Sequence, residues 1–85
     1  MENNKGGKYL KTQIEIKEAE YSQKVEKRFE LISELEILVD DAKRGAGANW
    51  IVAKAKKLAE TEEEAKRISE DLKAMYKIKK EMGVE

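Results

Sequence analysis

The side chains that most often carry catalysis or hold metal ions are missing from this 85-residue chain, which has no histidine and no cysteine. Nucleophile–base pairs therefore lose their commonest members. The usual zinc sites have no ligands, and no disulfide can form. Ser22, Ser33 and Ser69 fall in helix-forming stretches, where a hydroxyl faces water or bonds back to the main chain. Carboxylates are plentiful, but di-metal sites in helical bundles draw on Glu-x-x-His pairs, and none can exist here. The expectation is a protein that is not an enzyme, with no catalytic residue, no metal and no cofactor.

Two groups of residues could still bind something. Gly45-Ala46-Gly47 has the look of a phosphate loop, yet it lacks the third glycine, the following Lys-Ser/Thr and a preceding strand. A chain reversal explains both glycines without a ligand. Trp50 is followed by Lys54, Lys56 and Lys57, and Lys77, Lys79 and Lys80 accompany Tyr76. A basic patch beside an aromatic is the minimum footprint for nucleic acid. Against that, Lys56 and Lys57 point to different sides of a helix. Lys+Arg and Asp+Glu are also both 18, so the formal net charge is zero rather than strongly basic. Nucleic-acid binding through Trp50, Lys54, Lys56 and Lys57 is therefore the second reading, with Trp50 otherwise serving as an apolar plug at a corner.

The elements that would position these residues are helices. There is no proline, and the five glycines sit at 6, 7, 45, 47 and 83, outside two long stretches rich in Glu, Lys, Ala and Leu, the strong helix formers. The pattern predicts a flexible N-terminal arm over 1–8 and a single hairpin domain over 9–85. Within that domain it predicts a helix over 9–44, a loop over 45–49 and a helix over 50–82. Lys43 and Arg44 suit the negative end of the first helix, Gly45 the left-handed position after it, and Asn49 the cap of the second. Ile14, Tyr21, Val25, Ile32, Leu35, Val39 and Ala42 recur at helical spacing in the first stretch. Ile51, Ala55, Leu58, Ala65, Ile68, Leu72, Met75 and Met82 do so in the second. Thr12, Ser33 and Thr61 each begin a capping-box pattern, and a break near Thr61 would convert the hairpin into a monomeric three-helix bundle.

The apolar width of the first helix points outward. Phe29, Leu31, Ile32, Leu35, Leu38 and Val39 cover about half its circumference, where one neighbour needs a stripe of about 100°. The second helix carries a narrower stripe through Leu58, Ala65, Ile68, Leu72 and Met75. The first helix thus faces its hairpin partner and something further. The simplest further partner is a second copy, giving a homodimeric four-helix bundle; another protein's helix is the other. The expected interface comprises Val25, Phe29, Leu31, Ile32, Leu35, Leu38, Val39, Leu58, Ile68, Leu72 and Met75. Folding at Gly47 also sets Glu26, Glu30, Glu34 and Glu36 level with Glu60, Glu62, Glu63 and Glu64 as an acidic belt. Glu20–Lys24, Glu62–Lys66 and Glu63–Arg67 are the expected local pairs. Glu18, Arg28 and Glu62 interrupt the seam, either fixing its register or lying at its edge.

Composition sets the outer limits. A chain this short buries only about 60% of its unfolded surface and commonly needs a disulfide, a metal or a partner. With the first two absent, association remains. Charged residues are 42% of the chain and hydrophobic ones 40%, with mean hydropathy −0.79, and the polar N-terminus has no signal-peptide core. The default is a cytoplasmic protein with no membrane segment, and mixed-sign polar faces argue against lying on a membrane. Lysine- and glutamate-rich usage is shared by hyperthermophile proteins and by long solvated helices. The function these limits favour is a non-enzymatic protein–protein interaction protein acting as a helical homo-oligomer, in the class of adaptors, scaffolds or assembly components.

Overall fold

The computed structural model describes residues 4–83. Helix α1 spans Asn4–Lys43 and helix α2 spans Asn49–Met82. They pack antiparallel into an all-α hairpin 67 Å long and 14 × 13 Å across. Each helix repeats at seven residues. Ile14, Leu31, Leu35, Leu38 and Ala42 of α1 meet Ile51, Leu58, Ala65, Ile68, Leu72 and Met75 of α2, and all are buried or half-buried. This is the 3.5-residue period of a coiled-coil seam rather than the 3.6 of a straight helix. Leu31 is 0% exposed, and Ile14 and Leu72 are nearly as covered.

The apolar seam alternates with long polar side chains. Lys17, Lys24, Lys54 and Lys79 occupy seam positions and are half-buried. Their stems cover apolar surface while the ammonium groups reach water or a carboxylate. The local pairs expected from sequence are mostly replaced by pairs across the hairpin. Lys24 Nζ lies 2.8 Å from Glu64 Oε1, Lys17 Nζ 3.3 Å from Asp71 Oδ2, and Lys54 Nζ 2.8 Å from Glu34 Oε1. Of the three expected local pairs, only Glu63–Arg67 is present, at 4.0 Å. Arg28 and Glu62 meet at the seam edge, where Arg28 Nε donates to Glu62 Oε2 at 2.8 Å. Glu18, on the same edge, accepts from the Tyr76 hydroxyl.

Helix α2 is continuous through Thr61. The Thr61 hydroxyl donates to the Lys57 carbonyl at 2.9 Å, and the residue is buried at a seam position. This i−4 bond satisfies the hydroxyl within the helix, so the capping-box reading and the three-helix alternative are not realised. Thr12 and Ser33 likewise sit inside unbroken α1.

Three boundaries move from their expected places. Helix α1 begins at Asn4, inside the expected arm, and residues 1–3 of that arm lie outside the described residues. A Cβ on Gly6 would stand 3.9 Å from Met82 Cε and Gly7 is buried. Packing against the end of α2 thus carries the helix through two poor helix formers. Helix α1 ends at Lys43 in a six-residue closure. Ala46 N–H donates to Asp41 O and Gly45 N–H to Ala42 O, both at 3.0 Å, with Gly45 at φ +104°. That is the Schellman arrangement expected of a glycine just past a helix end. Asn49 does not cap α2. It is the first helical residue, and Ala48 precedes it with no side-chain cap, so the Ala48 carbonyl takes the N–H groups of Ile51 and Val52.

Candidate functional site

The seven-residue seam leaves the two flanks of the hairpin different. One flank is charged and paired: Lys17–Asp71, Lys24–Glu64 and Lys54–Glu34 line it. A hydrogen bond from Lys54 holds the Glu34 carboxyl below its ordinary value, and one from Lys24 does the same for Glu64.

The other flank carries apolar side chains that α2 does not cover. A groove of about 390 Å³ runs between the helices, bounded by Tyr21, Val25 and Arg28 of α1 and by Glu62, Ala65, Lys66, Ser69, Glu70 and Lys73 of α2. A second, of about 380 Å³, follows on α1 and is lined by Ile32, Leu35, Glu36, Val39 and Asp40. Phe29 stands between them, 60% exposed, and Val39 is 40% exposed. Tyr76 closes the far end of this flank, its hydroxyl pushed above the ordinary phenol range by its hydrogen bond to Glu18.

The expected interface residues therefore divide. Leu31 and Leu72 are buried between the two helices and are used up within one chain. Leu35, Leu38, Leu58, Ile68 and Met75 are half-buried along the same seam. Val25, Phe29, Ile32 and Val39 form the continuous flank. The wide face of α1 is thus real, but α2 takes its Leu31–Leu38 side and leaves its Phe29–Val39 side.

The Trp50 cluster is looser than expected. Trp50 is 69% exposed and plugs nothing. Lys56 and Lys57 are exposed, while Lys54 is half-buried and committed to Glu34. Among the described residues no group of three acidic side chains converges as a metal site, and no helix is long and apolar enough to cross a membrane. Both grooves are shallow, open and flanked by charge, unlike the enclosed apolar pockets that hold small molecules. What the flank can do chemically is bury Phe29, Val39 and their neighbours against another surface. Comparison with protein-family models, curated proteins and solved structures finds no match.

Proposed function

We propose that the protein is a non-enzymatic interaction protein that works as a helical homo-oligomer, an adaptor, scaffold or assembly component built on a four-helix bundle. The observation that supports it is the uncovered flank, where Phe29 and Val39 are exposed and continuous with half-buried Val25, Ile32 and Leu35. Contiguous apolar surface rimmed by polar residues marks interaction sites, and two helices alone bury too little to make that exposure harmless.

Mass measured by light scattering over a concentration series tests the reading. The expected result is a dimer that becomes a monomer in Phe29→Glu and Val39→Glu, with helicity retained because neither side chain belongs to the seam. A parent chain that stays monomeric at all concentrations overturns it. Exposure of Trp50, Lys56 and Lys57 favours a second reading, nucleic-acid binding. It predicts salt-sensitive titrations that weaken in Lys56→Glu and Lys57→Glu; flat titrations with DNA and RNA at low salt remove it.

A further inference from the structure

Charge and side-chain size are divided between the two helices on the open flank, and the division selects one way of pairing two copies. On α1 this flank is acidic and bulky. Glu36 lines the groove with Ile32 and Val39. Glu15 lies three heptads before Glu36 in the same column as Phe29, and Glu26 lies one turn before Phe29. On α2 it is low and carries both signs: Glu62 and Glu70 line the groove, Glu62 is neutralised by Arg28 of the same chain, and lysines flank them. Lys66 and Lys73 line the groove opposite Val25, and Lys56 lies near the loop. Ala55 and Ala59 sit one heptad before Glu62 and Lys66. Glu15, Glu26, Glu36, Lys56, Lys66 and Lys73 are all exposed, and none pairs with another described residue.

We propose that two hairpins pack flank to flank about a twofold axis parallel to their length, with both loops at the same end and α1 of each copy lying on α2 of the other. This rests on the homo-oligomer reading above and adds its geometry. Such an axis keeps every residue at its own height. Inside the hairpin Lys24 meets Glu64, Arg28 meets Glu62 and Lys17 meets Asp71. At those heights Glu15 comes level with the partner's Lys73, and Glu26 and Glu36 come within about one turn of the partner's Lys66 and Lys56. Glu26 is also level with the partner's Glu62, whose charge Arg28 of its own chain already answers. Phe29 comes level with the partner's Ala59, a large side chain against a small one, which is how facing layers interdigitate.

The opposite arrangement, with loops at opposite ends, lays α1 on α1. At full overlap it brings Glu26 within about one turn of the partner's Glu26 and Glu15 within about one turn of the partner's Glu36. Like charges placed face to face suppress such a pairing. The area suffices for either arrangement. One whole side of the hairpin, 67 Å by 14 Å, offers on the order of 900 Å² against about 800 Å² per partner in a standard stable interface, so the contact runs along nearly the full length in either arrangement.

Because the chain has no cysteine, Ala46→Cys in the loop gives one spin-label site per copy, and the distance between labels reads the orientation. The expected result is a dimeric mass with labels separated by roughly 10–30 Å, the width of neighbouring helix pairs plus the label arms. A dimer whose labels stand near the 67 Å length of the hairpin overturns the shared-end arrangement and leaves the homo-oligomer reading standing. A monomer overturns both. The charge pairing has its own check: Glu26→Lys should weaken the dimer roughly tenfold, since the twofold axis counts each swap twice. Adding Lys66→Glu should recover most of that loss; no recovery in the double variant overturns the pairing.

Discussion

Leu31 has no exposed surface in a molecule only two helices thick. It achieves this because seam residues of α2 close over it while Arg28 and Glu62 pair at the edge. Leu31→Ala is expected to cost about 2–4 kcal/mol by removing buried methyl groups and leaving a cavity. Ile37→Ala, at a site 61% exposed on the outer side of α1, should stay within about 0.5 kcal/mol of the parent. Urea titrations followed by circular dichroism compare the two. The ionisable residues add a pH prediction. Glu34 and Glu64 have folded values lowered from 4.5 by their lysine partners, so the folded chain binds fewer protons there than the unfolded one. Their contribution is complete above about pH 4.5 and is lost as pH falls through the lowered values. Tyr76 has a folded value raised from 10.0, so its contribution is complete below about pH 10 and is lost as pH rises through the raised value. Melting temperatures should therefore fall at both ends of a scan. Lys24→Gln and Lys54→Gln should flatten the acid limb, and Tyr76→Phe the alkaline one. Limbs unchanged in these variants would show that the pairs do not form in solution.

At the scale of the helices, the order of charges along one flank matches a single register. Helix α1 supplies cations at Lys17 and Lys24 and an anion at Glu34; α2 answers with Asp71, Glu64 and Lys54. A slip of one heptad sets Lys24 against Lys57 or Lys17 against Ile78, so only the observed register pairs all three. Lys24→Glu should lower the melting temperature, and adding Glu64→Lys should restore most of it; a double variant no better than the single would mean the pair does not guide packing. The corner gives a second test. Gly45 stands at φ +104° with nothing within 4 Å of an added Cβ, so Gly45→Ala meets backbone strain alone and should cost about 1–2 kcal/mol in urea titrations. That corner was legible in the sequence because a glycine after Lys43 and Arg44 has one common meaning at a helix end. The two helices were legible because nothing in either stretch breaks them. The seam was only half legible. Counting apolar residues follows Val25, Ile32 and Val39 around α1, whereas the actual seam passes through Lys17, Lys24 and Lys54, whose stems pack like hydrophobes and whose charge hides the seven-residue repeat. The helical start at Asn4 was hidden for a different reason: Gly6 and Gly7 are poor helix formers alone, and their place against the end of α2 is a tertiary fact.

Over the whole molecule, the balance between length and thickness decides whether a single hairpin suffices. Among the described residues only Ile14, Leu31 and Leu72 are buried hydrophobics, while Tyr9, Phe29, Ile37, Trp50 and Val52 are at least 60% exposed. A bundle two helices thick has no residue surrounded on all sides by apolar neighbours, and ordering about 80 residues costs on the order of 1–2 kcal/mol each in backbone entropy alone. The flank of Val25, Phe29, Ile32 and Val39 is a place where a second hairpin would bury exposed and half-buried apolar side chains over the middle of α1. If folding is completed that way, unfolding also separates the copies, and the melting temperature must rise with protein concentration by mass action. Thermal melts over a hundredfold concentration range should show an upward shift of several degrees in the parent chain. Phe29→Glu should melt earlier, at a temperature that does not depend on concentration. A parent melt that is flat across that range would mean that each hairpin is stable alone, and that the flank is covered only transiently or by a different protein.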